Sequence, residues 1–429
     1  MSQTATPQAA PPPAASAAGA VPAPAAAPQG DAAPAHVDTP RLLNRWQLVG
    51  MSVVIVFGLV SALVQLLSWQ ADGRAADDTA QLGRVQEIKS SLLSADARAT
   101  NAFLVGGLED PEQRTEYDAA IEKVLTLIAD ASRAQEADLK VLKELSVAVT
   151  DYATAVAQAR ANNRLGYPIG AEYLSGASNE LRASAIPILD ALVATNTERA
   201  EDAMAGQHPF WLLLLGILAL LALLWLNQQL ARAFHRRLNK GLVVAAAVVL
   251  GVTVVSVFAA AVRDSSNDSL RDNEFAAAVS LANTRTAAND AKAIESLRLI
   301  KRGSGDQAEK DWASAASEVE KGLGRADAVA DWRSYTERHE ALVALDDSGA
   351  WERAKELATT ADPEGTTKPF TDFDKATETE AGKQSAIAVD ELDSGRWLAL
   401  TISGLTVLLG VVAALAVARG IGARRREFS

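Results

Sequence analysis

The 429-residue chain has no cysteine, only four histidines, and aromatic side chains at 5% of its positions. Without cysteine there is no disulfide scaffold, zinc ribbon, thiol nucleophile or iron–sulfur centre. The histidines, His36, His208, His235 and His339, are scattered, so a histidine-based metal or catalytic site has little to be built from. Excess positive charge is missing as well: the net charge is −12, which argues against a nucleic-acid partner. There is no Gly-rich phosphate loop, no Ser/His/Asp arrangement and no His-x-x-x-His helix. No cofactor is expected.

Charge is also absent from four long stretches, residues 46–69, 209–226, 241–262 and 397–418. Crossing a bilayer as a helix takes about 20 apolar residues, so each stretch is a candidate transmembrane span. Trp46, Trp69, Trp211, Trp225 and Trp397 lie in or at the edges of these spans, the pattern of an aromatic belt at the headgroup level. The spans hold glycines (Gly50, Gly58, Gly216, Gly251, Gly404, Gly410) and hydroxyls (Ser52, Thr253, Ser256, Thr401, Ser403, Thr406), suited to close helix packing. Without an ionisable residue among them, a transport pathway is not expected.

Lysine and arginine placement sets orientation. Residues 1–45, the connector 227–240 and the tail 419–429 carry a net +7, whereas regions 72–208 and 263–396 carry −9 and −10. Both termini are therefore expected in the cytoplasm, with the two large regions outside. The first span is too long for a signal-peptide apolar core and is expected to stay as an anchor. Residues 1–45 are rich in Ala and Pro and poor in large apolar side chains, which reads as a disordered tail.

The two outer regions, 70–208 and 263–396, read as helical bundles. Val85, Ile88, Leu92, Ala95, Ala99 and Ala102 recur at 3–4 spacing, and so do Leu142, Leu145, Val149, Tyr152 and Val156. Breaks are predicted at 106–111 and 162–168, with a softer one near 130–136. Four helices follow for the first region, the last running on into span two, with a kink at Pro187. In the second region turn signals fall at 302–306, 322–324 and 359–370. The halves read as a duplication: Leu43-Asn44 matches Leu238-Asn239, Asp96-Ala97 matches Asp290-Ala291, and Glu116-Tyr117 matches Asp311-Trp312 at offsets of 194–195. The expected fold class is an all-α membrane protein with four transmembrane helices and two tandem extracytoplasmic four-helix bundles.

Two groups of residues are candidates for function. Asp96 and Arg98, with counterparts Asp290 and Lys292, lie beside the core seam. They would face a groove or a subunit interface and bind an amino acid or a partner, or else form a solvated helix flank or pair with the next helix. A homodimer would supply such an interface. Arg232, His235, Arg236, Arg237 and Lys240 crowd the inner connector, where they would set topology, attract anionic headgroups, or form a face read by a cytoplasmic protein. Arg160 and Arg164 read as exposed turn residues. Residues 346–351, Asp-Asp-Ser-Gly-Ala-Trp, lack the spacing of a calcium loop and read as a helix–turn–helix corner over Trp351.

The connector of 14 residues and tail of 11 are too short for a catalytic domain, which needs about 50 residues or more. An enzyme is not expected; the protein would act by touching something else. The run 162–174 (Asn-Asn-Arg-Leu-Gly-Tyr-Pro-Ile-Gly-Ala-Glu-Tyr-Leu), followed by Ala194-Thr195-Asn196, resembles the third turn and fourth helix of the sensor bundles of chemotaxis receptors. The tandem four-span form, with Tyr335-x-x-x-His339 and the 345–351 run, is similar to the actinobacterial GlnX-like membrane proteins. That resemblance implies a signal transducer linking an extracytoplasmic amino-acid ligand, or a solute-binding lipoprotein that carries it, to a cytoplasmic Ser/Thr protein kinase. A scaffold of the cell envelope and an accessory subunit of a transporter are the alternative readings.

Overall fold

The computed structural model describes residues 39–105, 111–165, 169–234, 239–302, 305–324 and 326–425. Among them there is no strand, and these described residues form twelve α-helices. The first, α1 (Thr39–Val105), is one helix of 67 residues, about 100 Å at 1.5 Å per residue. A hydrocarbon core of about 30 Å covers only a third of it, so the helix is both membrane span and outer bundle member. The first half continues with α2 (Pro111–Ala134), α3 (Leu139–Arg164), α4 (Ile169–Glu180), α5 (Ile186–Met204) and α6 (Pro209–Phe234). The second half comprises α7 (Lys240–Leu270), α8 (Ala276–Lys301), α9 (Gly305–Gly322), α10 (Ala326–Asp347), α11 (Trp351–Thr359) and α12 (Thr367–Arg425).

Local chemistry sets several boundaries. Proline opens α2 and α6, where a missing N–H costs nothing. Asn239 caps α7, its side-chain oxygen accepting from Gly241 N at 3.0 Å. Gly349, at φ +79°, ends α10, and the Ala350 N–H closes the turn on the Leu345 carbonyl at 2.9 Å. Trp351 then lies half-buried at the corner and donates from Nε1 to the Leu299 carbonyl.

Pro187 does not break its helix. A π turn, Leu181–Ala185, precedes it, with the Ile186 N–H reaching back five residues to Leu181. A proline ring clashes with the carbonyl four residues earlier, here Ala183, and the widened turn lies over that position. A second π turn, Arg271–Phe275, joins α7 to α8.

The helix after Pro187 stops short of the membrane, contrary to the expectation that it runs into span two. It ends at Met204, and α6 begins at Pro209. A β-carbon at Gly206 would sit 2.8 Å from the Ala71 Cβ, so the chain passes α1 only because this residue has none.

The seam residues read from the sequence form the core of the first outer half: Val85, Ile88, Leu92 and Ala99 on α1 meet Leu142, Leu145, Val149, Tyr152 and Val156 on α3. In the second outer half the core is aromatic, with Trp312, Trp332, Tyr335, Phe370 and Phe373 packed on Ala288 and Ala291.

Among the described residues, four helices are long and apolar enough to cross a membrane. Their outward faces carry exposed Leu, Val, Ile and Trp, such as Leu59 and Leu63 on α1 and Leu218 and Leu221 on α6, as lipid contact requires. Inside, Val54, Phe57, Leu223, Leu226, Ala245, Val249, Ala413 and Val417 pack together. The protein is an all-α, multi-pass membrane protein. Its two outer halves do not stand apart: α1 packs along α12 and against α8, joining both bundles into one body.

Candidate functional site

Three sets of charged side chains pin the halves together. Nearest the membrane, Asp72 on α1 is fully buried and accepts from Arg263 Nε at 3.1 Å, Asn267 Nδ2 at 3.1 Å and Gln207 Nε2 at 3.0 Å. Asp72 and Asn267 are 195 positions apart, the offset read as the repeat, so equivalent places on two equivalent helices bond each other.

Higher up, Arg285 of α8 reaches Glu87 of α1 at 2.7 Å and Asp374 of α12 at 2.9 Å, while Lys123 of α2 reaches Glu378 of α12 at 2.9 Å. Burial works against the Glu87 charge, but the Arg285 and Lys123 cations outweigh it and lower its pKa. Between these charges the hydroxyls of Ser90 and Thr286 share a hydrogen bond of 2.9 Å.

Highest of the three, the Arg182 guanidinium donates to Asp96 at 2.8 Å and to Asp290 at 2.6 Å. Asp96 also accepts from the Tyr152 hydroxyl at 3.0 Å and the Ser178 hydroxyl at 2.6 Å. Burial and the neighbouring Asp96 carboxylate push the Tyr152 phenol well above its ordinary value, which keeps it a donor.

A small, half-open cleft of about 100 Å³ lies in this seam. Its walls come from α1 (Ser94, Ala97, Arg98, Asn101), α2 (Gln113, Glu116), α8 (Lys292) and α12 (Phe370, Thr371, Asp374), with Thr367 at its edge. Two cations and two carboxylates thus line one space beside an apolar ring. Arg98 pairs with Glu116 while staying part exposed. Lys292 is buried, donating to Glu295 at 2.6 Å and to the Thr366 hydroxyl at 2.7 Å. The Gln113 side-chain oxygen in the cleft is buried without a hydrogen-bond partner. Among the described residues no group of acids and histidines is placed to hold a metal ion.

Of the four outer candidates, the structure brings Arg98 and Lys292 together in the cleft, and holds Asp96 and Asp290 on one guanidinium beside it. Asp96 is fully buried, so it faces neither solvent nor a groove. At the connector between the second and third spans, Arg232 near the end of α6 and Lys240 at the start of α7 are exposed. His235, Arg236 and Arg237 lie outside the described residues, as do residues 1–38 of the tail. Arg160 is not a free turn residue: its guanidinium stacks over the Tyr117 ring at 4.1 Å.

Sequence reasoning missed Arg182, Glu87 and Arg285, which carry the same signs as dozens of solvated side chains. It also missed Gln65, an amide deep inside the first span, although an amide in an apolar run was a visible signal. Gln65 donates to Ser256 of α7 at 2.9 Å and to Thr406 of α12 at 3.2 Å, tying three spans together.

Residues 71–205, about a third of the chain, match the family model of an actinobacterial sensor domain. No curated protein and no solved structure matches. The matched stretch is the part of the first half that lies between its two spans, and it contains Asp72, Asp96, Arg98 and Arg182. This likeness suggests a sensing role rather than a catalytic one.

Proposed function

We propose that the protein is a non-enzymatic sensor of the bacterial plasma membrane that takes an amino-acid ligand, or the lipoprotein carrying it, at the seam cleft. The single observation behind this reading is that the cleft walls belong to both halves, and two of them, α1 and α12, run unbroken through the membrane. A solute bridging the walls pulls directly on these two rods. A carboxylate end suits Arg98, and an ammonium end suits Glu116 and Asp374 with the unpaired Gln113 oxygen. Displacement at one end of a continuous helix is felt at the other, so the inner ends of α1 and α12 shift against Arg232 and Lys240. A cytoplasmic Ser/Thr protein kinase reads that shift.

The α5–α6 break removes one route from this scheme. The Gly206–Pro209 joint decouples α5 from span two, and transmission belongs to α1, α12 and the α7–α8 rod.

The test uses the full chain in lipid nanodiscs, with spin labels at Asn44→Cys and Ala423→Cys. Titration with each of the twenty amino acids is expected to give one or a few that bind and change the label distance. Arg98→Ala is expected to weaken that binding by tenfold or more, since a charge-assisted contact contributes about 1.5–3 kcal/mol. Absence of binding by every amino acid, with no distance change, overturns the ligand assignment. A scaffold without signalling is favoured if ligand binds and the inner ends stay fixed.

A further inference from the structure

The aromatic core of the second half contains a buried histidine that the seam does not use. His339 of α10 is 1% exposed. Its Nδ1 lies 2.9 Å from Glu295 Oε2 on α8, and its Nε2 lies 3.4 Å from Glu309 Oε2 on α9, an ion-pair contact rather than an aligned hydrogen bond. The ring stacks flat on Trp312, also of α9, with centroids 3.7 Å apart and planes 6° from parallel. One imidazole therefore touches three helices, and both of its α9 contacts favour a cation.

We propose that His339 is a proton-operated latch that clamps α9 to α8 and α10 when protonated and releases α9 when it loses its proton. The other ionisable groups around it are Lys292 and Arg298 on α8 and Tyr335 on α10; Thr366, just before α12, and Phe370, in its first turn, are neutral. Glu295 stays ionised throughout: burial would raise its pKa, but Lys292 and His339 outweigh that and hold it at about 2. Burial pulls the His339 value down, whereas the Glu295 and Glu309 carboxylates outweigh it and leave the value raised above 6.5. On deprotonation the Nδ1–H stays on Glu295, and the bare Nε2 lone pair faces the Glu309 carboxylate. An attraction between α10 and α9 becomes a repulsion, and the cation–π part of the Trp312 stack is lost.

The direction follows from linkage. The closed state binds the proton more tightly than the open one. The clamp is complete below about 6.5 and is lost as pH rises through the raised value. Between those two points the opening constant grows about tenfold per pH unit.

The latch stands apart from the amino-acid reading of the cleft, and its test needs no ligand. Amide exchange of α9 is followed in the full chain in nanodiscs from about pH 6 to about pH 9, labelling times being scaled for the intrinsic rate. Protection of α9 is expected to fall with pH in the native chain and to be low and flat in His339→Gln. Glu309→Gln, a change at a half-exposed site that keeps the fold, is expected to move the step to lower pH. A histidine ring NMR signal absent from His339→Gln should titrate with the same midpoint. An α9 that stays equally protected across the range, or a step unmoved by Glu309→Gln, overturns the proposal.

Discussion

Arg182 holds its guanidinium between a carboxylate with no solvent exposure, Asp96, and one about a third exposed, Asp290. Removing the cation leaves Asp96 with hydroxyl donors from Tyr152 and Ser178 but no opposite charge. A buried charge stripped of its partner costs about 3–5 kcal/mol. Arg182→Ala should lower the unfolding free energy of the detergent-solubilised chain by that amount, read from near-ultraviolet dichroism against denaturant. Adding Asp96→Asn should recover most of the loss, because a neutral amide still accepts from Tyr152 and needs no cation. If the single variant unfolds like the native chain, Arg182 does not pin the halves. Residues of this kind were invisible in the sequence. Periodicity reports which side of a helix is buried, but a pin joining positions 108 apart depends on how two helices meet.

At the scale of elements, the inner crossing of α7 and α12 rests on two glycines. A β-carbon at Gly241 would lie 2.3 Å from the Ala416 carbonyl oxygen and 2.5 Å from the Gly420 Cα, both backbone atoms that cannot swing aside. Gly251, ten residues further along α7, has nothing within 4 Å of a β-carbon built on it. Gly241→Ala should therefore force the two helices apart and cost about 1–3 kcal/mol, whereas Gly251→Ala should be neutral or slightly stabilising. Thermal melts of the two variants in one detergent check the contrast; equal melting points would mean that the crossing is looser than described. The spans were legible because a bilayer imposes length and the absence of charge. The α1 and α3 seams were legible because heptad spacing is a local property. The α5–α6 joint was harder to see: Gly206 and Pro209 were in view, but only residues 205–208 leave the helix, too short a gap to tell from a helix that runs on. The second π turn, Arg271–Phe275, has no proline to announce it.

For the molecule as a whole, the seam makes orientation decisive. The cleft, the Arg182 pin and the His339 latch all belong to the bodies beyond the spans, and those bodies carry −9 and −10 against +7 for the opposite side. Translocating the basic side would move Arg232, Lys240 and Arg419 across the bilayer against the preference that holds lysine and arginine in the cytoplasm. The absence of cysteine turns this into a clean measurement, since a single introduced thiol is the only one present. Ala137→Cys and Ser317→Cys lie at exposed positions in the first and second outer halves, and Ala423→Cys at an exposed position near the inner end of α12. A maleimide that cannot cross membranes should label the first two in intact cells and Ala423→Cys only after permeabilisation. Labelling of Ala423→Cys alone in intact cells would place the cleft and the latch in the cytoplasm, where neither an external amino acid nor external pH could reach them. Labelling of Ala137→Cys but not Ser317→Cys would put a bilayer between helices that share the Asp72, Arg285 and Arg182 pins. That outcome would contradict the fused seam itself, because hydrogen bonds of about 3 Å cannot join groups on opposite sides of a membrane.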